Sequence, residues 1–247
     1  MALLAVVFLE TAASAQAQTT SDQDESEQEN TPLVDLEVSE VEPQPIAIPV
    51  APVDSSTVAR QASFDVGLPL AMAAFTRGEA LWLVFAAESP LDSAHLARQG
   101  ELGLGAARIA EARGGVALRF DNPGRQTPMV RRNGTEWIVD LPLSELDTRP
   151  PLEVIAQPEH PDGARLFIEA TGAVAPVAFI DPLVGDILVA MPLGDVGQRL
   201  TTAQRFAEFG LLPSVLGVVV RTFIEDIRVL PTEGGVAISS ERGLQLS

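Results

Sequence analysis

Arg131-Arg132-Asn133-Gly134-Thr135-Glu136-Trp137-Ile138-Val139-Asp140-Leu141 carries the strongest hairpin signal in the chain. Asn-Gly tolerates positive φ at both central positions of a type I′ turn, and strand-like residues flank it. Working outward, Phe120-Asp121 opens this segment and Pro142 closes it. An earlier segment reads the same way. Phe64-Asp65 opens it, Arg77-Gly78 supplies the turn, Leu81-Trp82-Leu83-Val84-Phe85 ends it, and Pro90 follows. Aligned with one gap, Phe64 matches Phe120, Arg77-Gly78 matches Asn133-Gly134, and Trp82 matches Trp137. Each unit is therefore expected to be strand, turn, strand, turn, strand. Trp82 to Phe85 is a continuous apolar run of strand length, which fits burial on both faces.

A third, looser copy runs from Arg165 to Met191, where Gly185-Asp186-Ile187-Leu188-Val189 echoes Gly78-Glu79-Ala80-Leu81-Trp82. Towards the end the period shortens. Val218-Val219-Val220, Ile227-Arg228-Val229, Val236-Ala237-Ile238 and Leu244-Gln245-Leu246 recur, with Gly217, Gly234-Gly235 and Gly243 before three of them. Short strands at such spacing predict a mainly β fold, a β-sandwich or a solenoid-like stack, with one or two short helices. The helices are expected over Asp92–Gln99, closed by Gly100, and over Thr201–Phe209, closed by Gly210. The second places Leu200, Ala203, Phe206, Ala207 and Leu211 on one face.

The first sixty residues read differently. Ala2 to Leu9 is apolar, and Ala15-Gln16-Ala17 fits the small-x-small pattern before a signal-peptidase cut. No positive charge precedes the run and Glu10 interrupts it, which fits a true start upstream of Met1. Residues 1–17 are thus expected to be a signal peptide. The run is too short to span a bilayer, which needs roughly 20 apolar residues. From Gln18 to Ser56 there is no basic residue, and ten acids and five prolines crowd the stretch, so residues 18–60 are expected to be a disordered acidic, proline-rich linker. The body then divides into a first pair of β units, 61–157, and a second β unit, 158–247.

Charge and composition exclude several classes. The formal net charge is −18, and all 16 basic residues are arginine. Nucleic-acid binding needs clustered cations, so it is not expected. With no cysteine, disulfides and thiolate metal sites are excluded. Without leader and tail, 23 acids face 16 arginines, so the body is only mildly acidic.

Catalytic patterns are missing. There is no Gly-x-Ser-x-Gly elbow. His95 and His160 are the only histidines, in unrelated contexts, too few for a zinc site. Glu159, His160 and Asp162 form a loop cluster, read as solvated rather than as a base or ligand set. Gly103-x-Gly105 continues into Arg108 with no βαβ unit around it, so it is not a dinucleotide fingerprint. Asn133-Gly134-Thr135 matches a glycosylation sequon that the hairpin turn explains fully. No catalytic, cofactor or metal residue is expected.

The residues left as candidates for ligand binding are Arg77, Trp82, Arg131, Arg132 and Trp137. Repeated tryptophans could stack on sugar rings, while flanking leucine and β-branched residues favour a repeated core position. Arginines at matching turns could bind acidic glycan, or lie solvated.

Phe-Asp, a strand, Arg-Gly or Arg-Asn-Gly, then Leu-Trp-Leu-Val-Phe resembles the AMIN-type β domains of periplasmic bacterial proteins. Ala62 to Ser247 also resembles the N-terminal region of large alphaproteobacterial envelope proteins that continue into tetratricopeptide repeats. This chain has no such repeat pattern and stops while strands are still running, as a truncated or shortened relative would. The resemblance implies a periplasmic location and a non-catalytic envelope module that binds peptidoglycan or a protein partner. The alternative is a purely structural, scaffolding domain of a larger assembly.

Overall fold

Two hairpins anchor the architecture. In chain order the first elements are β1 (Val58–Asp65), β2 (Met72–Arg77), β3 (Ala80–Ala86), helix α1 (Ser93–Leu104), β4 (Ala107–Ala110) and β5 (Ala112–Arg113). Next come β6 (Gly115–Asp121), β7 (Met129–Asn133), β8 (Glu136–Pro142), β9 (Val154–Gln157), β10 (Arg165–Glu169) and β11 (Val177–Ile180). The last are β12 (Ile187–Met191), β13 (Gln204–Arg205), β14 (Phe209–Leu212), β15 (Val218–Thr222), β16 (Arg228–Thr232) and β17 (Gly235–Ser239). The computed structural model describes residues 58–65, 67–87, 91–142 and 149–246, so the expected leader and most of the acidic linker lie outside the described residues.

Each of the two clear sequence repeats is indeed three strands: β1, β2, β3 and β6, β7, β8. Their hairpin turns match. β2 and β3 are joined by Gly78-Glu79, with Arg77 paired to Ala80. β7 and β8 are joined by Gly134-Thr135, with Asn133 paired to Glu136. Gly78 has φ 58° and Gly134 has φ 62°, and neither Glu79 nor Thr135 has positive φ. Glycine at the first central position is the pattern of a type II′ turn, so the expected type I′ turn is corrected: Asn133 is the last strand residue rather than a turn residue.

The repeats interlock. β1 pairs with β8, and β6 pairs with β3. The first strand of each repeat thus completes the sheet of the other, giving β1-β8-β7 and β2-β3-β6-β4. The registers correspond without a gap: Phe64 lies across from Trp137, and Phe120 across from Leu81. The alignment expected from sequence is therefore one residue out. Trp137 corresponds to Leu81, and Trp82 to Ile138. Because strand side chains alternate, that single residue puts the two tryptophans on opposite faces of their sheets.

The packing follows from this. Phe64, Leu81, Leu83, Phe85, Phe120, Trp137, Val139 and Leu141 fill one core between the repeat sheets. Phe75, Trp82 and Val84 point the other way, into a second core with Val177, Phe179, Leu188, Ala190 and Val219. Those partners come from the six-stranded sheet β13-β14-β15-β12-β11-β5. A fourth sheet, β16-β17-β10-β9, supplies Leu166, Ile168, Val229, Val236 and Ile238 to the first cluster, alongside Met191, Val218 and Val220 of the six-stranded sheet. Every pairing between these strands is antiparallel, so the short strands stack sheet on sheet instead of coiling as a solenoid. Isolated bridges from Met72 to Leu193 and from Ala74 to Leu216 tie the edge of β2 to the C-terminal half. The 157/158 boundary expected from sequence falls inside the β9–β10 hairpin.

One helix forms where expected. Asp92 caps it, accepting from the His95 backbone N–H at 2.9 Å. It continues through Gly100 to Leu104, so Gly100 is no terminator. A Cβ at Gly100 would overlap the Phe120 ring, and one at Gly103 would overlap the Gln61 carbonyl. Both glycines are contact points that let α1 lie against β1 and shield its free edge. The second expected helix is absent. Thr201–Phe209 instead holds the short strand β13 and the start of β14, with Phe206 stacked on Phe209 at 4.7 Å between ring centroids. Phe209 and Leu211 are both buried, a period of two that serves a strand pairing with β15 better than a helix. The looser copy has its three strands, β10, β11 and β12, but a loop over 181–186 replaces the two-residue turn. Of the C-terminal run, Leu244 is buried without joining a strand.

Candidate functional site

The five candidate residues fall into two groups on different sheets. Arg77 ends β2. Its guanidinium donates to Asp181 at 2.9 Å and to Asp186, both at the base of the β11–β12 loop. Arg221 of β15 joins Asp186 at 2.9 Å. Asp181 is 4% exposed, so this is an interior clamp between two sheets rather than a free cation. Trp82 is fully buried beside it, stacked parallel to Phe75 with ring centroids 6.2 Å apart and 5.0 Å from Phe179. It offers no face to a sugar ring.

Trp137 is also buried, in the other core, and its indole N–H donates to the Leu70 carbonyl at 2.9 Å. Arg132 caps it, with the guanidinium carbon 5.1 Å from the ring centroid. The same side chain donates to the carbonyls of Gly134 and Gly194. Arg131, one residue earlier, points to the opposite face and is half exposed. It meets Asp140 through Nε at 2.9 Å and Nη2 at 2.8 Å.

Arg131 belongs to an open polar sheet face. Pairing places Asp65, Glu136 and Asn133 in one row across β1, β8 and β7. Ser63, Ile138 and Arg131 form the next row, and Gln61, Asp140 and Met129 the third. Gln61 donates to Asp140 and Ser63 to Glu136, which holds the rows together. The corresponding face of the other repeat, with Phe75, Trp82 and Val84, is buried under the six-stranded sheet. A duplicated surface thus has two fates: one is apolar and covered, the other is polar and open.

Sequence reasoning missed the acids that engage these arginines. Asp140 is visible as a charge inside the otherwise apolar run Trp137–Leu141. Asp181 and Asp186 bracket a Pro-Leu-Val-Gly tip, a signal legible only once the loop is seen to close. A second polar feature, a depression of about 290 Å³, is lined by Thr76, Thr127, Thr201, Ser214 and Arg199. Arg199 donates there to the Arg149 carbonyl.

Asp121 is held below its ordinary value of 3.8: the hydrogen bond from Arg119 lowers it, aided by the charges of Arg119, Arg108 and Arg60 against some desolvation. His160 accepts from the Asp162 backbone N–H at 3.2 Å. Among the described residues no group of three or more His, Asp or Glu is placed to hold a metal ion. No described helix is long and apolar enough to cross a membrane. No protein-family model, curated protein or solved structure matches the chain.

Proposed function

We propose that this chain is an exported, non-catalytic module of the bacterial cell envelope, and that its open polar face binds cell-wall glycan or an envelope protein. The observation that carries the reading is the unequal fate of the two repeat faces. A sheet whose partner face is buried beneath another sheet leaves this one uncovered, with hydrogen-bonding side chains in three ordered rows and a half-exposed arginine. Glycans bearing carboxylates present the matching chemistry: hydroxyls for Gln61, Ser63 and Asn133, and an anion for the exposed part of the Arg131 guanidinium that its pair with Asp140 leaves to solvent. The buried tryptophans take no part, and Arg77 is committed to its own acids.

Sedimentation with purified peptidoglycan tests it. Binding should weaken as salt rises, because exposed charges are screened within roughly 8 Å at physiological ionic strength. Arg131→Ala, made together with Asp140→Asn so that the buried Asp140 carboxylate is not left without its cation, should weaken binding by a protein that circular dichroism shows to be folded. A folded protein that fails to sediment at low salt would shift the reading to the scaffolding alternative.

A further inference from the structure

We propose that the tip of the β11–β12 hairpin is a self-association surface whose occupant is a second copy of this chain. Four large apolar side chains crowd this one hairpin: Ile180 (47% exposed), Leu183 (63%), Val184 (58%) and Ile187 (46%). Scattered exposed leucines are ordinary, but a contiguous apolar cluster marks a contact surface.

The tip is rigid. Asp181 accepts from the Leu183 N–H at 3.1 Å, and its own carbonyl accepts from Val184 and Gly185. Arg77 and Arg221 clamp the two acids at its base. Leu183 and Val184 are therefore presented on a stem whose ordering cost has already been met in folding, which favours docking.

Beside this knob lies a hole. Ala178, Phe179, Ile180 and Ile187 line a depression of about 230 Å³, with Glu111 and Arg113 on its rim. That is several times the roughly 30 Å³ a water molecule takes in the liquid, enough for a branched aliphatic side chain. Among the described residues neither Glu111 nor Arg113 has an ion-pair partner.

An apolar knob beside an apolar hole, with one acid and one cation on the same rim, is complementary to itself. In a twofold contact each patch meets its own copy, so the Leu183 knob of one chain enters the hole of the other. Arg113 then faces Glu111 of the second copy, and Glu111 faces Arg113. A heterologous partner would need no such pairing of opposite charges on one rim. Four side chains and one depression make a small contact beside the roughly 800 Å² per partner of a standard stable interface. The dimer is accordingly reversible and concentration-dependent.

Analytical ultracentrifugation of the 247-residue chain tests this, from about 1 μM to about 1 mM, a range that brackets weak association. The weight-average mass should rise towards the dimer. Leu183→Gln should weaken association at least tenfold. Arg113→Glu should also weaken it, and Arg113→Glu with Glu111→Arg should restore it, a rescue that neither folding damage nor general stickiness would produce. A monomer throughout, a dimer indifferent to Leu183→Gln, or no rescue by the double reversal would each overturn the proposal. So would a monomer whose Leu183 instead drives binding to zwitterionic lipid vesicles, because the occupant would then be a membrane.

Discussion

Gly103→Ala sets two physical effects against each other. Gly103 lies within α1, and alanine is normally better than glycine in a helix by about 1 kcal/mol. From the helix alone the substitution should stabilise. The structure gives the opposite sign, because a Cβ at Gly103 would overlap the backbone carbonyl of Gln61 in β1. Backbone cannot swing away as a side chain tip can. The helix must retreat by about 2 Å to recover an ordinary contact near 3.5 Å. Overpacking of this kind costs roughly 1–3 kcal/mol. The retreat also loosens Leu96, Ala97 and Leu104, which α1 contributes to the core, and breaks the bond from Arg60 to the Leu104 carbonyl. Burying a leucine contributes roughly 1.5–3 kcal/mol, so partial exposure of two adds about 1–2. Set against the propensity gain, the net loss is about 1–4 kcal/mol. Urea unfolding followed by tryptophan fluorescence measures it, with Leu102→Ala as control, since Leu102 is 91% exposed and its loss should cost about 0.5 kcal/mol or less. A Gly103→Ala protein as stable as the parent, or more so, refutes the close-contact argument.

Trp137→Phe should cost about 1 kcal/mol more than Trp82→Phe in the same assay, because Trp137 leaves the Leu70 carbonyl without its donor, whereas the Trp82 indole N–H has no acceptor among the described residues. Asp121 is held below its ordinary value by Arg119, so its contribution is complete above that ordinary value and fades as pH falls through the lowered one. NMR titration should find it among the last carboxylates to protonate, and Arg119→Gln should move it up; the side chain is mostly exposed, so the stability effect is small. Because β1 completes the sheet of β8, and β6 that of β3, the two repeats should unfold in one transition. Separate loss of the amide-exchange protection of β2–β3 and β7–β8 would contradict interlocking.

Much of this fold is legible in the sequence because local rules decide it. Glycines at 78 and 134 require turns, Asp92 requires a cap, and the flanking apolar runs require strands. The remainder depends on partners distant in sequence. Nothing in Phe64-Asp65 says that its strand joins the other repeat. Gly100 is a common helix stop by propensity, and only the Phe120 ring shows that it is a packing position instead. The Thr201–Phe209 pattern serves helix and strand alike over so short a run, and β15 settles it by pairing with β14. For the candidate site, the residue types were visible but not their company: Arg77 finds its acids more than a hundred residues away.

The one-residue displacement of the tryptophans is what makes the duplication asymmetric. Had Trp137 followed the Trp82 register, it would stand where Ile138 does, in the centre of the open face between Ser63 and Arg131. That face would then carry the same large aromatic that buries its counterpart under the six-stranded sheet, and an uncovered indole there would invite another sheet. Placed one residue earlier, Trp137 fills the shared core and leaves a half-buried isoleucine ringed by Gln61, Ser63, Glu136, Arg131 and Asp140. Arg131 and Asp140 replace the Phe75 and Val84 of the covered face position for position, and their ion pair tolerates water where the apolar pair does not. Two repeats that share a backbone thus use strand alternation to assign one outer face to folding and leave the other to solvent or a ligand.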